Sequence, residues 1–286
     1  MCDEIILTGG RVTQGVKRKG EFVYRPCNAN SAFVHDVLKW LEAKGCLCAP
    51  RFIGLSEDGR EITTFLEGTA PDNLGDFTDE QIYEAGKVIK CLHTALTDFP
   101  DCSDGQVVCH NDLSPCNFMF IRQGDGSSVL LSNENKTDEP SPCLVGKPYA
   151  VFDWDAAALG DPIDDVAYAA WMWCDIGNDE NSPALVSKKI NVLLDAYELE
   201  QEKRSNFIEK IHSQIQRTAE SLKVNNMLDG YNWALECGIW LNRTGLEQGD
   251  GSSVLSLTGE IEQMNRPPVL NLSPSHYSYT SISNIE

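Results

Sequence analysis

Two apolar runs enclose a polar knot at residues 107–120, VVCHNDLSPCNFMF, where His110, Asn111, Asp112 and Asn117 stand close together. A solvated turn has no need of such flanks, whereas a loop that must hold a carboxylate and a side-chain amide in fixed positions does. Phosphoryl transfer asks for that pair: a carboxylate near the attacking hydroxyl, and oxygen ligands that hold Mg2+ against nucleotide phosphates. His110, Asp112 and Asn117 fit the spacing H-x-D-x-x-x-x-N. In that pattern the Asp accepts or orients the hydroxyl proton and the Asn oxygen takes a metal. A second metal-binding Asp belongs on the next hairpin, and Asp153 in YAVFDWDAAALGDP follows an apolar strand there. Either part alone fits a capped turn as well; the two in this order point to phosphoryl transfer.

The elements around these residues have to position them. EIILTGG, GVKRKG and EFVYRP read as short strands separated by turn residues, as in an antiparallel sheet. Phe33, Val34, Val37, Leu38 and Leu41 then recur at helical spacing, with Gly45 as the stop. PRFIGLSEDGREITTFLEG reads as a hairpin turning at Glu57-Asp58-Gly59, and its end, FLEG, as the crossing into a second lobe. From residue 78 the pattern is helical: Thr78 and Gln81 form a capping box, and Ile82, Ala85, Val88, Ile89, Leu92 and Leu96 make one apolar face. His93 lies beside that face and reads as a packed helix residue, not a ligand.

FMFI and YAVFDWD are the two strands of the next hairpin. Between them, residues 122–148 are polar and read as an inserted loop, far longer than the usual connection. Beyond residue 160 come further helices, one starting with Ser182 as N-cap and Pro183 at its first position, then NFIEKIHSQIQRTAESLKV and NWALECGIWLNRTGLE. Residues 261–286 read as a flexible tail. The octapeptide QGDGSSVL occurs at 123–130 and 248–255, which is neither a solenoid period nor a stacked array.

Length and composition suit a globular chain of one large or two modest domains. The net charge of −20 is unevenly placed. Residues 1–68 carry nine basic and nine acidic side chains, while residues 69–286 carry 14 basic and 34 acidic. Such a balance excludes a nucleic-acid partner, because phosphate contacts require Lys and Arg. It would steer a cationic substrate, or simply keep the protein in solution. No apolar run reaches the ~18 residues of a membrane span, so no membrane partner is expected. The acidic start MCDEIILTGG lacks the basic region of a signal peptide. Eleven cysteines, with Cys46 and Cys48 lacking a second pair or a nearby His for a zinc site, read as reduced thiols of a cytoplasmic protein. The N-x-S/T triplets at Asn135, Asn242 and Asn271 mean little without secretion.

VCHNDLSPCNFMF and AVFDWDAAALGDPIDDVAY resemble the catalytic loop and metal-binding segment of the aminoglycoside phosphotransferase family, including its G-D-P-x-x-D signature. Weaker similarity runs through LTGG, VYRP, APRFIG and FLEG, so the resemblance covers roughly residues 5–247 without the insertion. It implies an α+β, two-lobed protein-kinase-like fold. A small antiparallel-sheet lobe (1–68) would hold the nucleotide, and a larger, mainly helical lobe (69–260) would hold the acceptor. Asp112 would be the catalytic base, His110 its supporting hydrogen-bonder, Asn117 and Asp153 the Mg2+ ligands, and Leu66 a backbone contact to the base of ATP or GTP. Asp161 and Asp165 would stabilise the loop and cap the next helix.

The first lobe departs from the family's pattern. Arg25 stands where a phosphate-contacting Lys is usual, keeping the charge with a planar fork. The helix that usually supplies a Glu partner offers Val34 at that place, with His35 and Asp36 beside it as candidates to compensate. LTGGRVTQG keeps two glycines but is not G-x-G-x-x-G. Two readings follow: a kinase for a hydroxyl on a small molecule, such as an aminoglycoside or a choline-like metabolite, or a nucleotide- or partner-binding pseudokinase without turnover.

Overall fold

Five short antiparallel strands form the first sheet: β1 (Glu4–Ile6), β2 (Lys17–Lys19), β3 (Phe22–Arg25), β4 (Phe52–Leu55) and β5 (Glu61–Thr64). They belong to a computed structural model that describes residues 4–7, 15–121 and 146–246. The glycines of LTGG, both QGDGSSVL copies, most of the 122–148 insertion and the tail lie outside the described residues. Helix α1 (Ser31–Ala43) intervenes between β3 and β4, and β5 returns beside β3, so the order is β1-β2-β3-β5-β4. Its buried stripe is Val34, Val37, Leu38 and Leu41, and the chain turns off it at Gly45, where φ is 72°. The β4–β5 hairpin closes with Ser56 N–H donating to Arg60 O at 2.8 Å. In the resulting register Arg25 faces Glu61 directly across the sheet.

The second lobe is built on α2 (Asp79–Leu96) and four later helices and turns: α3 (Pro162–Trp173), α4 (Pro183–Tyr197), α5 (Gln201–Arg204) and α6 (Phe207–Val224), with α7 (Leu228–Thr244) closing it. The Thr78–Gln81 capping box forms in both directions, and the apolar face of α2 is buried along its length. Gly86 lets α2 and α4 meet closely: a Cβ there would stand 2.7 Å from Ala196 Cβ and 2.8 Å from Leu193 O. Ser182 caps α4 through Leu185 N–H at 3.2 Å, as its Ser-Pro start predicts.

Two small ladders join the sheet lobe to this helical body. Strand β7 (Phe118–Ile121) pairs with β8 (Lys147–Val151), and β6 (Val107–Cys109) pairs with β9 (Ala158–Gly160). β8 begins at Lys147, inside the stretch that reads as insertion from its composition. Pro148 is accommodated opposite Phe120, next to where the register slips, since proline cannot donate to a regular ladder. Phe118, Phe120 and Phe77 surround the Trp173 ring with centroids 4.9, 6.0 and 4.8 Å away. Together the elements make the two-lobed α+β fold that the resemblance implied.

Where FLEG crosses between the lobes, Thr69 and Phe120 exchange backbone hydrogen bonds of 3.0 and 2.9 Å. Gly68, at φ 133°, precedes them, and a Cβ on it would lie 2.2 Å from Phe120 O. No L side chain fits that approach without moving the backbone. Gly68→Ala is therefore expected to lower the unfolding free energy by roughly 2 kcal/mol or more, read as a shifted urea midpoint; an unchanged midpoint would refute the close crossing.

Candidate active site

Strand β6 ends at a loop whose backbone is held from below by one carboxylate. Asp165, on α3 and without exposed surface, accepts the backbone N–H groups of His110 and Asn111, both at 2.8 Å. Its third partner is His93 of α2, at 3.1 Å from Nε2, and His93 Nδ1 lies 2.9 Å from Tyr197 Oη. His93 is thus a packed, hydrogen-bonded helix residue. Asp161 caps α3 by accepting Ile163 N–H at 2.9 Å. Asn111 takes φ 62°, a left-handed position that Asn tolerates better than most residues, and its amide donates to Ala156 O at 2.9 Å.

His110 ties the loop to the segment carrying Asp153. Its Nε2 lies 3.0 Å from Phe152 O, a pure acceptor, and its Nδ1 lies 3.3 Å from the Asp112 N–H, a pure donor. Those partners assign the neutral Nε2–H tautomer. Asn117, at the end of the 3-10 turn Pro115–Asn117, donates its amide N–H to Asp112 O at 2.9 Å. Tyr168 donates to Asp112 Oδ1 at 3.0 Å, and the Trp173 indole donates to Leu113 O at 3.1 Å. Asp112 itself is 5% exposed, and burial pushes its carboxyl above the usual aspartate range, against the opposing influence of His110 and of donors from Tyr168, Asn117 and Ser114.

The opposite wall is ionic. Arg25 reaches three carboxylates: Glu61, with Nε 2.8 Å from Oε1; Asp153, with Nη1 3.4 Å from Oδ1; and Asp155, in close contact with Nη2. The Nε contact lies off the N–H direction, so Arg25 and Glu61 attract as charges without a directed hydrogen bond there. Burial works against the guanidinium charge, but Asp155, Asp153 and Glu61 outweigh it and raise its pKa. Asp155 moves up, chiefly through burial and partly through Asp153, with Arg25 opposing. Asn30 fastens this segment to α1, donating to Asp155 O and Ala157 O, each at 2.9 Å.

A cavity of about 700 Å³ opens between the lobes, and Arg25, Glu61, Leu66, Asp112, Asn117 and Asp153 all line it. The sequence-predicted residues therefore converge, with two exceptions. His110 is buried behind the loop, and His35 stands behind Glu61, with Nε2 2.8 Å from Oε2 and its ring stacked on Phe52 at 3.9 Å. Asp36 points away to Lys39. The acid beside Arg25 thus comes from β5 and not from α1, where Val34 is buried against the cavity. Glu61, Asp155 and Tyr168 were not singled out by the sequence reading. The second Asp of the DWD triplet was the available signal for Asp155, and the β3–β5 register was the only one for Glu61.

No protein-family model matches the chain, and no curated protein does. Solved structures do resemble it. A choline/ethanolamine kinase family protein from Mesorhizobium loti superposes with a TM-score of 0.56 at 13% identity, over 85% of this chain and 87% of that one. An ethanolamine kinase of Plasmodium vivax gives 0.52 at 12%, over 84% and 81%. A microcompartment-associated aminopropanol kinase gives 0.52 at 12%, over 87% and 95%. At these identities the likeness is one of fold.

The raised pKa of Asp112 sets a stability test. A folded-state pKa above the unfolded value of about 3.9 means the folded chain binds the proton more tightly. The resulting penalty is absent below that value and grows as pH rises through the folded pKa. Asp112→Asn, which carries no charge to bury, should gain on the parent across that rise and match it in acid. Urea unfolding from pH 3 to 8 checks this, and a difference independent of pH would contradict it.

Proposed function

We propose that the protein is a kinase-type phosphotransferase that moves the γ-phosphoryl group of ATP or GTP to a hydroxyl of a small, amine-bearing molecule. The observation that carries this is the convergence of Asp112, Asn117 and Asp153 on one interlobe cavity, on a loop whose backbone is fixed by a buried carboxylate. Asp112 is the base: burial raises its proton affinity, Tyr168 orients its carboxylate through Oδ1, and the residue lines the cavity where an acceptor's hydroxyl would meet it. Asn117 has its amide nitrogen committed to Asp112 O, so its oxygen is what it offers the cavity. That oxygen and the Asp153 carboxylate are the hard donors that Mg2+ takes, and bound Mg2+ supplies charge neutralisation on the transferring phosphates. Leu66 and its neighbours at the lobe crossing lie where backbone groups would meet the nucleotide base.

For the acceptor, the acid-rich second part of the chain, with 34 acidic against 14 basic side chains, favours a cation. The kinases of like fold are named for ethanolamine, choline and aminopropanol, so an amino alcohol stands beside an aminoglycoside as the class to test. One observation favours a second reading, nucleotide binding without turnover: the Arg25 guanidinium already engages three carboxylates and has less to give a phosphate.

A nucleotide-consumption screen with Mg2+, offering ATP and GTP against amino alcohols and aminoglycosides, separates the two. Turnover with at least one acceptor, lost by a factor of about 1,000 or more in Asp112→Ala while Mg-nucleotide binding stays within a few-fold, is the expected result. Binding without consumption for every acceptor would support the non-catalytic reading. Asp153→Ala should weaken nucleotide binding in Mg2+ far more than in its absence. Equal losses under both conditions would remove Asp153 from the metal.

A further inference from the structure

The α1–β4 connection carries Cys46 and Cys48 with only Leu47 between them. Leu47 is 82% exposed, while Cys46 is buried. The two thiols meet a third, Cys91 on α2, and the Sγ atoms of all three lie within 4.8 Å of one another. Cys46 and Cys91, 45 residues apart in the chain, have their sulfurs 3.8 Å apart. Each sulfur is set on fixed backbone. Cys46 N–H donates to Leu41 O at 2.9 Å, Cys48 O accepts Val151 N–H at 2.8 Å, and Cys91 sits in the last turns of α2. All three are free thiols.

We propose that Cys46, Cys48 and Cys91 form a three-thiolate site for a soft d10 cation of the Zn(II) class. Zn–S bonds of about 2.3 Å at tetrahedral angles place sulfurs about 3.8 Å apart, the separation that Cys46 and Cys91 already have. On binding, the thiols release their protons to solvent and the thiolates donate to the ion. Cys91 is exposed, so the fourth position faces water and completes the tetrahedron with it. Hard cations such as Mg2+ prefer oxygen, so this site and the cavity sort metals by donor. The bound ion cross-links the lobes, since Cys46 and Cys48 follow α1 and Cys91 belongs to α2. Val151, whose N–H donates to Cys48 O, stands two residues before Asp153. A second trio, Cys27, His35 and Glu61, also lies within ligand reach. There, however, Glu61 already holds both His35 and Arg25.

The test uses the full chain, stripped by chelator under a phosphine reductant, then titrated with Cd(II) and Zn(II). Cd(II) is expected to give thiolate charge-transfer absorption saturating at one equivalent, and Zn(II) to raise the melting temperature with concentration. Cys91→Ser, an exposed position that should fold, is expected to weaken binding by roughly tenfold or more, at least the loss typical of an outer-shell partner. It should also abolish the thermal shift. Cys48→Ser should do the same, and Cys27→Ser should change nothing. No saturable charge-transfer band, a band insensitive to Cys91→Ser and Cys48→Ser, or one lost in Cys27→Ser would each overturn the assignment.

Discussion

The buried carboxylate of Asp165 is the interaction on which the rest depends. Two consecutive backbone N–H groups, of His110 and Asn111, point into the helical body where water does not reach. Left unpaired, each would cost on the order of 1–3 kcal/mol, and an unpaired buried carboxylate would cost more. Together they satisfy each other, and His93 adds a third contact that brings in Tyr197. Helices α2, α3 and α4 are thereby tied to one loop. The orientation of Asp112 follows, because the two residues before it have no freedom left. Such positioning from rigid elements is what keeps a reacting group within hydrogen-bond reach of its proton.

The facing wall rests on different physics. One guanidinium stands among three carboxylates, whereas the Lys–Glu arrangement of the resembled family would balance one charge with one. Arg25 holds the wall together while leaving it net negative, and a negative wall favours a cation before it favours phosphate. Mg2+ in the cavity would therefore act on both: it would bring the phosphates and relieve the repulsion between Asp153 and Asp155. The planar fork of Arg25 can serve Asp155, Asp153 and Glu61 from separate nitrogens, which the single nitrogen of a Lys could not do.

Features that act through short chain separation were legible in the sequence. The Thr78–Gln81 box, the Ser182–Pro183 start and the His110–Asp112–Asn117 spacing all work within eight residues, and their geometry follows from local rules. Glu61 was not legible because it reaches Arg25 through strand register, which depends on how the β4–β5 hairpin returns across the sheet. Tyr168 was hidden for another reason: α3 is apolar on every side, from Val166 to Trp173, so periodicity cannot tell its Asp112-facing side from the rest. β9 is three residues of Ala-Leu-Gly with no strand signature, and only pairing with Val107–Cys109 makes it a strand. The cysteines show the same limit, since Cys46 and Cys48 lack a partner within the sequence window where zinc motifs are read, and α2 supplies one.

Asp153 is where the two walls meet, and its environment shows why neither suffices alone. Its own backbone takes the left-handed conformation, which Asp adopts at a modest local cost. The chain just before it is fixed three times, by His110 on Phe152 O, by Asn117 O on Phe152 N–H at 3.0 Å, and by Cys48 O on Val151 N–H. The chain just after it is fixed by Asn30 from α1. Two anchors thus come from the loop that carries Asp112 and Asn117, and two from the first lobe and its connection. The bond from Phe152 N–H to Asn117 O and the pairing of Val151 with Phe118 keep the Asp153 backbone beside Asn117, so a change in the angle between the lobes would reach Asp153 through Arg25 and Asn30 instead.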